Sequence, residues 1–173
     1  MVRVDSAVAY CHSYLICYSM DVNTNVPLVE KEEISVPSFS KQSLDNLSTC
    51  DIRLQKLFLS VVKEMDCTIL CGYRNEEDQE RAFQKGLSKV HFPHSKHNTF
   101  PSVAVDVVPY PIDWNDRQRF VDLYHAARRH AIVMRIRIRW GADWDMDGNY
   151  WEREGWEVDG PHFELAPDML KLN

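Results

Sequence analysis

The most informative stretch of the chain reads Val103-Ala104-Val105-Asp106-Val107-Val108-Pro109. A short valine-rich run that ends at a proline predicts a buried strand. Asp106 interrupts this run, and an unpaired carboxylate inside an apolar strand costs several kcal/mol. We therefore expect one of two arrangements: a partner for this charge, for which a metal ion would serve, or a strand whose Asp106 side lies on a solvated face.

Further strands are predicted on both sides of this run. The apolar residues 68–73 fit a second buried strand, and residues 162–165 fit a last one. Residues 134–140 are predicted as a strand with one polar face, because arginine and isoleucine alternate from Arg135 to Arg139. Since turn-rich loops separate these segments, we expect the sheet to be small and largely antiparallel.

Helices are predicted mainly before and between the strands. Residues 51–65 carry apolar side chains at helical spacing. Asn75 can cap a second helix that stops near Gly86, and Asp113 or Asn115 can cap a third. Together the elements predict an α+β fold, in which about three helices pack on the sheet in a single domain.

The N-terminal region differs in composition from the rest. Residues 20–38 are rich in Asn, Glu and Ser, and contain the breakers Pro27 and Pro37. We interpret residues 1–38 as an extension and linker, for which disorder is one interpretation. The domain proper is then expected over residues 39–173.

Composition restricts the class of protein. A chain of 173 residues with 45% hydrophobic and 27% charged residues fits one globular domain, not a disordered, collagen-like or coiled-coil chain. The net charge of −6 gives no global basic footprint, which argues against nucleic-acid partners and against a metal-dependent nuclease, although arginines cluster within 128–139.

No apolar run is long enough to predict a membrane span. Polar side chains interrupt the apolar residues 6–19, so we predict no signal peptide and expect synthesis in the cytoplasm.

The five cysteines do not predict a disulfide framework. Their number is odd and their spacing shows no pairing pattern, so we expect reduced thiols. Cys67 and Cys71 do not have the CxxC spacing, and we interpret this pair as a poor zinc site.

Two histidines and two aspartates are candidates for a metal site. His97 lies in a loop before the Asp106 strand, and His162 opens the last strand. Neutral imidazole and carboxylate are ligands that zinc accepts, and Asp159 could act as a general base beside the metal. The alternatives are that His97 is an ordinary loop residue and that His162 is a hydrogen-bonded core histidine. His94 is a second candidate ligand, and we prefer His97.

A separate acidic loop reads Asp143-Trp144-Asp145-Met146-Asp147-Gly148. With Glu154 it completes the spacing of a calcium-binding loop, in which oxygen ligands at alternate positions surround the ion and glycine permits a tight turn. A strand precedes the loop and no helix clearly follows, so we do not predict a true EF-hand. The alternative is an acidic, solvated loop without an ion.

From about Phe39 to its C-terminus the chain resembles the family of zinc D-alanyl-D-alanine carboxypeptidases and L-alanyl-D-glutamate endopeptidases, especially phage endolysins. Each matching segment alone is weak, but four occur in the family's order. They are Cys71-Gly72-Tyr73-Arg74 with Gln79 and Gly86, Ser95-Lys96-His97 with Ala104-Val105-Asp106, Ile138-Arg139-Trp140-Gly141-Ala142-Asp143-Trp144, and Asp159-Gly160-Pro161-His162-Phe163-Glu164.

The resemblance implies a mechanism. His97, Asp106 and His162 would bind zinc, and a zinc-bound water, activated by Asp159 as catalytic base, would attack the peptide carbonyl. Arg74 would hold a substrate carbonyl or carboxylate and stabilise the developing oxyanion.

The resemblance also implies two supporting residues and one departure. Ser95 would support the metal loop, and Gln79 would support the site or bind substrate. The segment between His97 and Asp106 is longer than in most of the family, with Pro101 and Ser102 inserted, so the geometry of this loop differs from the usual pattern.

The activity that this implies is hydrolysis of the L-Ala–D-Glu bond in the peptidoglycan stem peptide, on the cell wall after release. The closest alternative is a D,D-carboxypeptidase that removes terminal D-Ala. An alternative of another class is a non-catalytic wall-binding module, which would be expected to lack Asp159 or Arg74. We expect a monomer that binds zinc and the stem peptide, binds calcium if the acidic loop takes an ion, and binds no nucleic acid.

Overall fold

Two units make up the chain, residues 1–36 and residues 37–173. The computed structural model describes the backbone of residues 8–11, 14–20, 27–33, 36–151 and 158–166, and the side chains of residues 36–151 and 158–166. None of the helices within these ranges has the length and apolarity that a membrane crossing requires.

The first unit contains a three-stranded antiparallel sheet. Its strands are β1 (Val8–Cys11), β2 (Tyr14–Met20) and β3 (Pro27–Glu33), in that order across the sheet. Strand β3 lies in the stretch that Pro27 and Pro37 led us to predict as a linker. Pro27 is the first residue of β3, a position where a strand tolerates the missing N–H, so this proline did not exclude a strand. The assignment of residues 1–38 as an extension stays a prediction.

The second unit confirms the predicted α+β class. Its four strands form an antiparallel sheet in the order β4-β5-β7-β6, so the strand around Asp106 is an interior strand. The elements in chain order are α1 (Lys41–Ser48), α2 (Ile52–Glu64), β4 (Cys67–Cys71), α3 (Glu76–Gln84), a 3-10 turn (Lys96–Asn98), β5 (Ala104–Pro109), α4 (Arg117–Met134), β6 (Ile138–Trp140) and β7 (His162–Leu165).

One predicted strand begins too early. The expected strand over 134–140 is shorter, because α4 continues through Met134 and ends at Arg135 in the left-handed conformation, with φ 57°. Only Ile138–Trp140 pair with β7. The cap of α4 also differs from both predicted residues: the side chain of Asp116 accepts a hydrogen bond from the backbone N–H of Arg119.

The hydrophobic core lies between the helices α2 and α4 and one face of the sheet. Phe58 of α2 meets Phe163 of β7 edge to face, with ring centroids 5.3 Å apart. Tyr124 of α4 stacks on Trp140 of β6, with centroids 4.7 Å apart. Each large apolar side chain buried here contributes roughly 1.5–3 kcal/mol to folding.

Residues of β5 are buried on both faces except Asp106, which remains partly exposed. The core therefore surrounds β5 and leaves its one carboxylate partly exposed.

Candidate metal centre

Three predicted metal ligands, His97, Asp106 and His162, lie close together in the structure. His97 Nε2 lies 3.2 Å from Asp106 Oδ1 and 3.2 Å from His162 Nδ1, and His162 Nδ1 lies 3.4 Å from Asp106 Oδ1. Ligand atoms about 2.0–2.1 Å from a tetrahedral zinc are separated by about 3.3–3.4 Å. The separations match this value, so the three side chains fit a zinc ion with a fourth position left open.

The fold explains why these side chains meet. Asp106 on β5 and His162 on β7 are register partners, and paired residues of neighbouring strands project from the same face. His97 comes from the 3-10 turn, whose capping residue Ser95 accepts a hydrogen bond from the backbone N–H of His97 at 3.3 Å. This bond gives Ser95 a place in the metal loop. His94 lies in the lining of the neighbouring cleft, and His97 is the histidine that meets Asp106.

Hydrogen bonds behind the histidines set their orientation. Nδ1 of His97 lies 2.7 Å from the carbonyl oxygen of Gly72, and only a protonated Nδ1 can donate to a carbonyl. This bond leaves the lone pair of Nε2 facing the metal position, as is usual for histidine ligands. Gly72 also permits a close approach between β4 and α1, since a Cβ there would lie 2.3 Å from the carbonyl oxygen of Asn46.

Interactions among the charges of His97, Asp106 and His162 shift the pKa values of these groups. Burial opposes the charge on His97, but the negative charge of Asp106 outweighs it and raises the pKa of His97 to about 10. Burial likewise opposes the charge on Asp106, and the two histidines more than offset it, so the pKa of Asp106 falls well below its usual value. The negative charge of Asp106 thus favours positive charge beside it, as it would favour a bound cation.

Arg74 lies beside this cluster and is held there by a buried glutamine. Its Nη2 donates to Asp106 Oδ2 at 3.3 Å, and its Nη1 donates to Gln79 Oε1 at 3.3 Å. Gln79 is fully buried and donates in turn to the hydroxyl of Ser88 and the carbonyl of Val90. Gln79 thus contacts Arg74 and lies behind it, so its position suits support of the arginine.

Asp159 stands in the turn that leads into β7. Its backbone N–H donates to the carbonyl of Gly141 at 2.8 Å, and the N–H of His162 donates to the carbonyl of Asp159 at 3.1 Å. Desolvation by the surrounding protein, together with the negative charge of Asp106, raises the pKa of Asp159. A carboxylate with a raised pKa is a better proton acceptor near neutral pH.

A cleft of about 690 Å³ opens in front of the metal position. One wall carries the loop around Ser95, and the other carries side chains of β6, β7 and the acidic loop. Its lining residues are Val90, His94, Ser95, Lys96, Arg139, Trp144, Asp145, His162 and Glu164. A cleft of this volume can take a short peptide segment.

Two residues of the site were not identified from the sequence. Cys71 lacks the CxxC spacing with Cys67, yet its Sγ lies within 4.8 Å of ligand atoms of His97 and Asp106. Glu164 is only 2% exposed, and its Oε2 lies 3.4 Å from Nε2 of His162. Both have a signal in the sequence: Cys71 directly precedes the Gly72-Tyr73-Arg74 segment, and Glu164 follows His162 by two residues, which is the same face of a strand.

The acidic loop brings its three aspartates together. Carboxylate oxygens of Asp143, Asp145 and Asp147 lie within 4.8 Å of one another. Gly148 has φ +89°, a conformation that glycine adopts readily, and its N–H donates to Asp143 Oδ1. Desolvation, followed by the two neighbouring aspartates, raises the pKa of Asp143. Glu154, the fourth predicted ligand, lies outside the described residues.

Comparisons with known proteins show which family the chain resembles. Residues 36–166 match the family model of the phage L-alanyl-D-glutamate peptidases. The L-alanyl-D-glutamate peptidase of Escherichia phage T5 is 33% identical over 135 residues, which cover 74% of this chain and 97% of that protein. The crystal structure of the L-Ala D-Glu endopeptidase ChiX from Serratia marcescens superposes with a TM-score of 0.58 at 24% identity, covering 75% of this chain and 91% of that one, and supports the fold.

Proposed function

The chain belongs to the phage L-alanyl-D-glutamate peptidase family, and from this premise we propose that it cleaves the L-Ala–D-Glu bond of the peptidoglycan stem peptide with the help of zinc. It is a peptidase, as its family is. The observation that carries the zinc proposal is the 3.2–3.4 Å spacing of the ligand atoms of His97, Asp106 and His162. Bound zinc would polarise the peptide carbonyl and lower the pKa of a water molecule.

The residues beside the metal position supply the remaining chemistry. Asp159 takes a proton from the attacking water as the new C–O bond forms, and passes it to the leaving nitrogen as the C–N bond breaks. Arg74 provides a guanidinium for the negative charge that develops on the carbonyl oxygen. Its ion pair with Asp106, and its hydrogen bond to Gln79, keep that guanidinium at the site.

The proposed place of action is the bacterial cell wall, where the stem peptide occurs. The net charge of −6 disfavours a nucleic-acid partner. We also propose that the protein acts as a monomer.

Digestion of purified peptidoglycan tests this function. With zinc present, mass spectrometry is expected to find a new free amine on D-Glu, which disappears with EDTA and returns with added zinc. Asp159→Asn is the matched variant: it should keep the zinc content of the protein while kcat falls by about 10²–10⁴-fold, the usual contribution of a general base. Release of D-Ala would instead identify a D,D-carboxypeptidase, and absence of any cleavage with full zinc content would favour a wall-binding module.

We also propose that the acidic loop binds calcium through Asp143, Asp145 and Asp147, with Glu154 as the further ligand. The closeness of the three carboxylates supports this, because a divalent cation relieves their mutual repulsion. Calcium bound there is expected to stabilise the acidic loop. Millimolar calcium should therefore raise the melting temperature of the protein, and should not do so in a variant with Asp145→Asn and Asp147→Asn; an unchanged melting temperature and no heat in calorimetry would exclude calcium.

A further inference from the structure

We propose that Glu164 and Arg139 are positioning residues that fix the imidazole of His162 for metal binding. This inference rests on the proposed function, because it concerns the same metal centre. It assigns a role to the ion pair between buried Glu164 and partly exposed Arg139, which the peptidase chemistry itself does not require.

The first observation is that a carboxylate is buried where apolar side chains would be expected. Glu164 is 2% exposed and lies on β7, next to the fully buried Phe163. Its two oxygens have different partners: Oε1 accepts hydrogen bonds from Nε and Nη2 of Arg139, the first at 2.9 Å, and Oε2 lies 3.4 Å from Nε2 of His162. The carboxylate therefore joins the arginine to the histidine.

The backbone fixes this connection. Arg139 on β6 and Glu164 on β7 are register partners. His162 and Glu164 are two residues apart on β7, so their side chains lie on the same face of the sheet. A buried ion pair usually adds little to stability, because desolvation offsets its Coulomb attraction. The position of this pair, directly behind a metal ligand, points to orientation of that ligand.

The consequence for His162 follows from imidazole chemistry. A neutral imidazole has one N–H and one lone pair, and a carboxylate beside Nε2 favours the proton on that nitrogen. The lone pair then lies on Nδ1, the atom that faces Asp106 and His97. Carboxylates behind histidine ligands commonly serve this purpose, and their loss typically costs 10–100-fold in metal affinity.

An aromatic side chain restrains the same ring from another side. The ring of Trp144 lies 5.4 Å from that of His162, between centroids, at a tilt of 37°. The guanidinium of Arg139 lies over Trp144, 5.3 Å from its centroid. Arg139 thus contacts both the carboxylate and the indole that border His162, which is why its substitution should affect the metal site as well.

The test is metal affinity, measured by competition with a chromophoric chelator on the full chain. Glu164→Gln is expected to weaken zinc binding about 10–100-fold and to change the visible spectrum of the cobalt-substituted protein, because the ligand field at His162 changes. Arg139→Gln, which leaves the carboxylate in place, should weaken zinc binding in the same direction but less, and it serves if Glu164→Gln does not fold.

Glu64→Gln is a matched control. Glu64 also joins an arginine and a histidine, since it accepts from Arg129 and lies 2.9 Å from Nε2 of His130, but it lies on α2 outside the cleft. It should bind zinc as the wild type does. Wild-type zinc affinity and an unchanged cobalt spectrum in folded Glu164→Gln or Arg139→Gln would overturn the inference.

These readouts do not depend on peptide cleavage. If the wild-type protein binds zinc but leaves the L-Ala–D-Glu bond intact, the proposed function fails and the positioning role is still measured by the affinities. If the wild type cleaves the bond and Glu164→Gln keeps its zinc affinity and spectrum, the positioning role fails alone.

Discussion

At the scale of single residues, a metal ion at this centre must compete with the proton that Asp106 stabilises on His97. His97 carries a proton at neutral pH because Asp106 raises its pKa to about 10, and a metal needs the neutral ring. Zinc binding must therefore release protons. The apparent affinity for zinc must rise with pH until the pH exceeds the pKa of His97.

We expect zinc binding at about pH 7 to release at least one proton, with an affinity that increases about tenfold per pH unit between about pH 6 and about pH 8. Calorimetry in two buffers of different ionisation enthalpy measures the number of protons. A binding heat that is independent of the buffer, together with a constant affinity over this range, would contradict the raised pKa of His97.

The cysteines of the second unit should differ in reactivity. Cys50 and Cys67 are 1% and 3% exposed, and burial raises the pKa of each thiol to about 12. Cys71 is partly exposed and lies near ligand atoms of His97 and Asp106. Iodoacetamide should modify Cys71 first, and bound zinc should slow that reaction. Mass spectrometry of the labelled peptides, with Cys71→Ser as control, checks this order; equal labelling of Cys50 would refute it.

At the scale of elements, a close contact joins α1 to Gly72, the residue that follows β4. A methyl group at Gly72 would lie 2.3 Å from both the carbonyl oxygen of Asn46 and the hydroxyl of Thr49. Gly72→Ala should therefore lower the free energy of unfolding by about 1–3 kcal/mol, the usual cost of overpacking. It should also weaken zinc binding, because the Gly72 carbonyl accepts the hydrogen bond from His97.

Urea unfolding measures this loss, with Gly86→Ala for comparison. Gly86 has φ +72° and open space around it, so alanine there costs only backbone strain of about 1–2 kcal/mol and leaves the metal site untouched. Equal zinc affinity in both variants would show that the Gly72 carbonyl does not orient His97.

The elements were predictable where their residues follow a single rule. The valine run of β5, the Asn75 cap of α3 and the strand His162–Leu165 are all visible in the sequence. The alternation after Met134 misled, because helical packing of α4 continues to that residue and Arg135 ends the helix without glycine. Long-range pairing decided the rest: Asp106 meets His162, and Arg139 meets Glu164, only through strand register, which local spacing does not reveal.

At the scale of the whole molecule, the peptidase unit carries its own core. The residues of the buried cluster all belong to the unit 37–173, among the described side chains. We expect a protein shortened to residues 37–173 to fold cooperatively and to keep the zinc affinity and kcat of the full chain within about twofold. Thermal unfolding and the peptidoglycan digest test this; loss of zinc binding in a folded short protein would assign the first unit a part in the site.

Asp106 and His162 are paired across β5 and β7, so zinc binding would report that these strands have paired in the correct register. A slip of one residue between these strands would turn one of the two side chains to the opposite face and separate the ligands. A misaligned chain could then bury much the same apolar surface and still bind no zinc. Retention of metal would thus separate correctly aligned molecules from compact but misaligned ones, a distinction that secondary-structure content cannot make.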